Sequence, residues 1–138
     1  MSSIETLIVI AVIIVVILVV AFMLITNRRQ LKEIEAIDKL VNKIEKMHLE
    51  RDIDRLDKMD LAGESLTTLN TWRKSYQEAS TAKIPEVQHL VEEAADENSN
   101  YHLFKARKNI KQAREIIKPT FEDARNTKAV FTELLESN

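Results

Sequence analysis

Residues 7–25 read LIVIAVIIVVILVVAFMLI, without a charge, a glycine or a proline. As a helix rising about 1.5 Å per residue, this stretch is roughly 28 Å long, close to the hydrocarbon thickness of a bilayer. A secretory signal would carry a basic n-region and a small-residue cleavage site. Here Met1-Ser2-Ser3-Ile4-Glu5-Thr6 has no Lys or Arg, and the stretch ends in Leu24-Ile25-Thr26-Asn27-Arg28-Arg29. A buried core helix would be amphipathic, whereas this one is apolar all round. The segment reads as a retained transmembrane helix over residues 7–26, after a short extracellular tail over residues 1–6.

Charge sets the direction. Arg28, Arg29 and Lys32 follow the span, and Glu5 is the one charged side chain before it. Cytoplasmic flanks carry the Lys/Arg excess. The N-terminus is therefore expected outside and residues 27–138 in the cytoplasm. The span has no ionisable residue and no GxxxG pair, so it reads as an anchor to the lipid bilayer, with no ion pathway or dimerisation face.

Beyond the span the chain is densely charged with both signs mixed: 20 Lys+Arg against 22 Asp+Glu over the whole sequence. That balance argues against a nucleic-acid binder. No Cys is present, so thiol chemistry is excluded. One Gly and two Pro are too few for the turns of an α/β or β domain. The composition favours long helices.

Three helices are expected, over residues of about 28–60, 66–97 and 101–135. In the first, Leu31, Ile34, Ile37, Val41 and Ile44 recur at three- and four-residue steps. Leu49, Ile53 and Leu56 resume the stripe after a slip near His48. Nothing breaks this helix from the span. Gly63 is expected to end it in a left-handed conformation, with Ser65 capping the second helix. Leu69, Trp72, Tyr76 and Ala79 form one seam there, and Ile84, Val87, Val91 and Ala94 another. The two seams are out of step beside Pro85, where a kink is expected. Ser99 or Asn100 is the expected cap of the third helix. Its seam runs Leu103, Ala106, Ile110, Ala113, Ile117, Thr120, Ala124, Thr127, Phe131, Leu134, a heptad pattern crossed by Pro119. Three such helices joined by short turns give an all-α antiparallel three-helix bundle with the shape of a spectrin-like coiled-coil repeat.

Constellations for chemistry are missing. His48, His89 and His102 have no HxxxH partner, and His48 with Asp52 supplies two ligands at most. No glycine-rich phosphate loop or triad spacing occurs, so no enzyme, cofactor, metal or small-molecule substrate is expected. Trp72 and Tyr76 read as core aromatics. Arg107, Lys111, Arg114 and Lys118 make one basic stripe, a candidate partner surface. The alternative, which the spacing favours, pairs them across the hairpin with Glu92, Glu93, Asp96 and Glu97, since both clusters sit at unfavourable helix ends.

The order of elements, together with Leu61-Ala62-Gly63-Glu64-Ser65 and Leu69-Asn70-Thr71-Trp72-Arg73-Lys74-Ser75-Tyr76, resembles the N-terminal part of the EzrA family of septation ring formation regulators. Ile84-Pro85-Glu86-Val87, Glu92-Glu93-Ala94 and Phe104-Lys105-Ala106 continue the likeness. Tyr76 stands where the family commonly has a second Trp. Family members are several times longer, so the sequence reads as a fragment that stops in mid-pattern. The resemblance implies a membrane-anchored scaffold at the division septum that regulates cell division by binding the tubulin-like protein FtsZ and other division proteins. The composition and helix lengths alone also allow a structural membrane stalk of the rotary ATPase peripheral-subunit type, although Gly63 and Pro85 count against its unbroken helix.

Overall fold

A capping box starts the first helix. The Glu5 amide donates to Ser2 Oγ at 3.3 Å, and the Ser2 amide donates to Glu5 Oε2 at 3.4 Å. The computed structural model describes residues 2–137; Met1 of the expected tail and Asn138 of the expected bundle region lie outside the described residues. Helix α1 (Ser3–Lys46) then runs for 44 residues without a break, roughly 66 Å at about 1.5 Å per residue. The tail is thus helical from Ser3. The apolar segment and the first charged stretch form one rod, because no Gly or Pro lies between Ile25 and Lys46.

The rod ends where the seam slips. Leu49 follows Ile44 by five residues, which at 3.6 residues per turn would rotate it off the buried face. His48 absorbs the mismatch by entering the left-handed region at φ 53, ψ 44. Helix α2 (Leu49–Asp57) resumes with Leu49, Ile53 and Leu56 buried. The expected helix over 28–60 is therefore two helices joined at His48.

Gly63 is left-handed in φ (63°, with ψ −134°), but it caps the start of the next helix; α2 has already ended at Asp57. Helix α3 (Glu64–Glu78) begins directly after it, so Gly63, and not Ser65, is the N-cap. The second seam slip is absorbed differently. Residues Ala79–Lys83 form a π-helical turn, with the Ile84 amide donating to Ala79 O. A π turn accommodates the extra residue that separates Ala79 from Ile84, and Pro85, with no N–H, lies just beyond it. Helix α4 (Ile84–Ser99) completes this second rod.

The next turn falls later than its sequence suggests. Asn98 and Ser99 are still helical, and Tyr101 takes φ 59. The Ala106 amide donates to His102 O at 3.0 Å, opening helix α5 (Leu103–Ser137). Helix α5 passes through Pro119 as one helix and buries nine seam positions from Leu103 to Phe131.

The protein is all-α, with three rods packed up, down and up. Cross-rod contacts fix the registers: Glu33 with Arg114, Lys43 over the Phe121 ring at 6.0 Å, and Asp52 with Lys128. These steps rise together along α1–α2 and α5, which makes the first and third rods parallel. Helix α5 folding back on α1 is at odds with an extended stalk. The core joins all three rods through Ile37, Val41, Ile44, Leu56, Val87, Ile110, Ile117 and Phe131. Its α1 edge is Gln30, 3% exposed, whereas Leu31 of the expected stripe is 46% exposed.

Candidate functional site

The base of the bundle is built on amides. Asn27 Nδ2 donates to Asn98 O at 2.6 Å, and Asn98 Nδ2 donates back to Asn27 O at 3.1 Å. One turn higher, Gln30 Nε2 donates to Leu103 O at 3.0 Å. These bonds hold the α4–α5 turn against α1 immediately after the apolar segment. Within that segment the large aliphatic side chains and Phe22 lie exposed, with Met23 half-buried. A continuous apolar surface of this kind is not tolerated in water and marks a membrane or partner contact. Arg28, Arg29 and Lys32 lie exposed at the same base.

Sequence periodicity read past these amides because they are polar. The signal was nevertheless present: Gln30, Ile34, Ile37, Val41 and Ile44 step by four and three without interruption, a better heptad than one starting at Leu31.

Of the basic stripe, Arg114 is bound to Glu33 on α1, Nη2 to Oε1 at 3.0 Å. Arg107, Lys111 and Lys118 are exposed. None of the four pairs with Glu92, Glu93, Asp96 or Glu97 among the described residues, so the expected pairing across the hairpin does not form. Glu97 instead accepts from Asn109 Nδ2 at 3.1 Å, and Glu93 meets His89 within α4. The reason is angular. At about 100° per residue, Asn109 lies roughly 200° around α5 from Arg107. The stripe occupies the flank of the seam beside α1, and the α4 flank belongs to Asn109. Lys111 and Lys118 are thereby left presented outward as cations.

Trp72 and Tyr76 are half-buried and pack against the core. Burial raises the Tyr76 phenol above its usual pKa, and Glu50 and then Glu45 add to the rise. Beside them, Arg73 Nη1 meets Asp57 Oδ1 at 2.8 Å and closes the corner between α2 and α3.

Asp52 is no ligand partner for His48. Its side chain is 4% exposed and accepts from Lys128 Nζ at 2.6 Å. Among the described residues no group of three His, Asp or Glu side chains is placed to hold a metal. An open cleft between α1 and α4 is lined by Ile34, Asp38, Gln88, Val91 and Glu92, and burial raises the Asp38 carboxyl above its usual range. The arrangement offers surfaces for binding: an apolar rod, a basic collar and an outward basic flank.

Comparison with known proteins agrees in kind. The model of a family described as septation ring formation regulator, EzrA, matches residues 8–138, taking in the apolar segment as well as the bundle. Two curated proteins named septation ring formation regulator EzrA are similar to the chain. They come from Lactococcus lactis subsp. cremoris (strain MG1363) and Lactococcus lactis subsp. lactis (strain IL1403). Each is 22% identical over 116 residues, which is 84% of this chain and 20% of the relative. The chain therefore spans about a fifth of the length of the curated relatives it matches. No solved structure matches it.

Proposed function

The chain belongs to the EzrA family of septation ring formation regulators, and we propose that it forms the anchoring end of a cell-division regulator. In this reading residues 7–26 cross the cell membrane once, with the N-terminus outside. Residues 27–138 stand in the cytoplasm as a spectrin-like unit. The unit binds FtsZ polymers near the membrane surface and restrains where the septation ring assembles.

The observation that carries the reading is the unbroken α1. A bare apolar helix long enough to span a bilayer continues directly into the bundle, and the family match covers both parts. A rigid connection of this kind fixes the height and tilt of the bundle above the bilayer, which a flexible linker would not do. Arg28, Arg29 and Lys32 support the inward direction of the bundle. The outward cations Lys111 and Lys118 suit an acidic partner surface, where charge complementarity raises the association rate.

Co-sedimentation of residues 27–138 with FtsZ polymers tests the binding. The fragment is expected in the pellet, and Lys111→Glu/Lys118→Glu is expected to reduce the pelleted fraction at unchanged helicity. Absence of the wild-type fragment from the pellet, with a longer family member pelleting, would assign FtsZ binding to other segments of the regulator.

A further inference from the structure

A cavity of about 450 Å³ opens between the end of the apolar segment and the α4–α5 turn. Its lower wall is Val19, Phe22 and Met23 of the span. Its upper wall carries Arg29, Gln30 and Arg107. Tyr101 and Phe104 also line it. Phe104 is 82% exposed and Tyr101 is 44% exposed. Tyr101 also holds a positive φ, 59°, which is costly for a residue with a Cβ. The turn thus presents two exposed aromatic rings beside the end of the span.

Two features of this cavity ask for the same ligand. Its floor is apolar and continuous with a helix that reads as membrane-spanning. Its roof has two arginines that have no ion-pair partner among the described residues. The carboxylate on the wall, Glu33, is already bound by Arg114.

We propose that this cavity seats one anionic phospholipid of the cytoplasmic leaflet. The phosphodiester lies between Arg29 and Arg107. An acyl chain runs down Val19, Phe22 and Met23. Tyr101 and Phe104 flank the lipid at interfacial depth, where aromatic rings are favoured. The seat rests on the proposed single-span anchor and adds a lipid preference to it. It also gives the α4–α5 turn a task, to fix the bundle against the bilayer at a second point besides α1.

The test is lipid retention by the full 138-residue chain in mixed nanodiscs of phosphatidylglycerol and phosphatidylcholine, read by native mass spectrometry after release. The wild type is expected to keep one phosphatidylglycerol and no phosphatidylcholine. Arg29→Ala and Arg107→Ala are each expected to weaken retention about fivefold, the fold-change corresponding to about 1 kcal/mol per basic residue at an anionic surface. Arg28→Ala, which does not line the cavity, should lose clearly less than either. Circular dichroism of each variant reports that the fold is kept. Equal losses for Arg28→Ala and Arg29→Ala would reduce the effect to general surface charge and overturn the seat. So would retention without headgroup preference, or none by a chain that inserts in the nanodisc. A chain that fails to insert at all would overturn the anchor, and the seat with it.

Discussion

Replacing Lys128 with Ala isolates a nearly dry carboxylate of the bundle, Asp52. Asp52 lies on α2 just past the His48 break, with its side chain 4% exposed. Lys128 reaches it from α5 with Nζ at 2.6 Å, its own side chain 36% exposed. Removing one partner of a fully buried pair costs about 3–5 kcal/mol, because the other charge is stranded. Here the lysine end is wetter than that, so water can partly replace it. A charged hydrogen bond contributes about 1.5–3 kcal/mol, and Lys128→Ala should therefore cost about 2–3 kcal/mol. For a bundle near 100 residues this lowers the melting temperature by about 10–15 °C. The assay is thermal unfolding followed by circular dichroism, with Asp52→Leu/Lys128→Met as the second arm. That double change removes the charge along with its partner and should regain most of the loss. A shift under about 3 °C for Lys128→Ala, or a double variant no better than the single one, would refute the reasoning.

Backbone strain gives two opposed predictions. Gly63→Ala should cost about 1–3 kcal/mol in the same melts although nothing lies within 4 Å of the added Cβ, because the loss comes from φ +63 alone. His48→Gly should raise stability by up to about 1 kcal/mol, since it relieves a left-handed residue, and His48→Val should lower it. The raised Asp38 carboxyl predicts a pH effect. Its folded pKa lies above the unfolded value, so folding disfavours the ionised form and stability falls as pH rises from 3.8 through the folded value. Asp38→Asn removes that fall: the variant should match wild type below the window and melt higher at neutral pH. Equal melting differences at both pH values would contradict this.

The third rod was legible in the sequence because its seam is regular. Every position from Leu103 to Phe131 that the heptad spacing picks out is buried. At His48 and at Pro85 the spacing located the disturbance but not its form. A five-residue step can be absorbed by one left-handed residue or by a π turn, and the chain uses the first at His48 and the second at Ala79–Lys83. Both repair the same phase error, so only the local backbone distinguishes them. The base was hidden for another reason. Asn27, Gln30 and Asn98 are polar residues at buried positions, and a search for apolar stripes passes over them. The salt-bridge expectation erred on geometry: it matched two helices by charge and ignored which flank of α5 faces α4.

In the proposed topology the start of α1 lies outside the membrane and the bundle lies in the cytoplasm. The chain has no native cysteine, so a single introduced thiol reports its own location. Ser2→Cys and Thr71→Cys, both exposed positions, should be compared in intact cells with a membrane-impermeant maleimide. Position 2 should be labelled in intact cells and position 71 only after lysis. Labelling at position 71 in intact cells, or protection at position 2 until lysis, would contradict that topology.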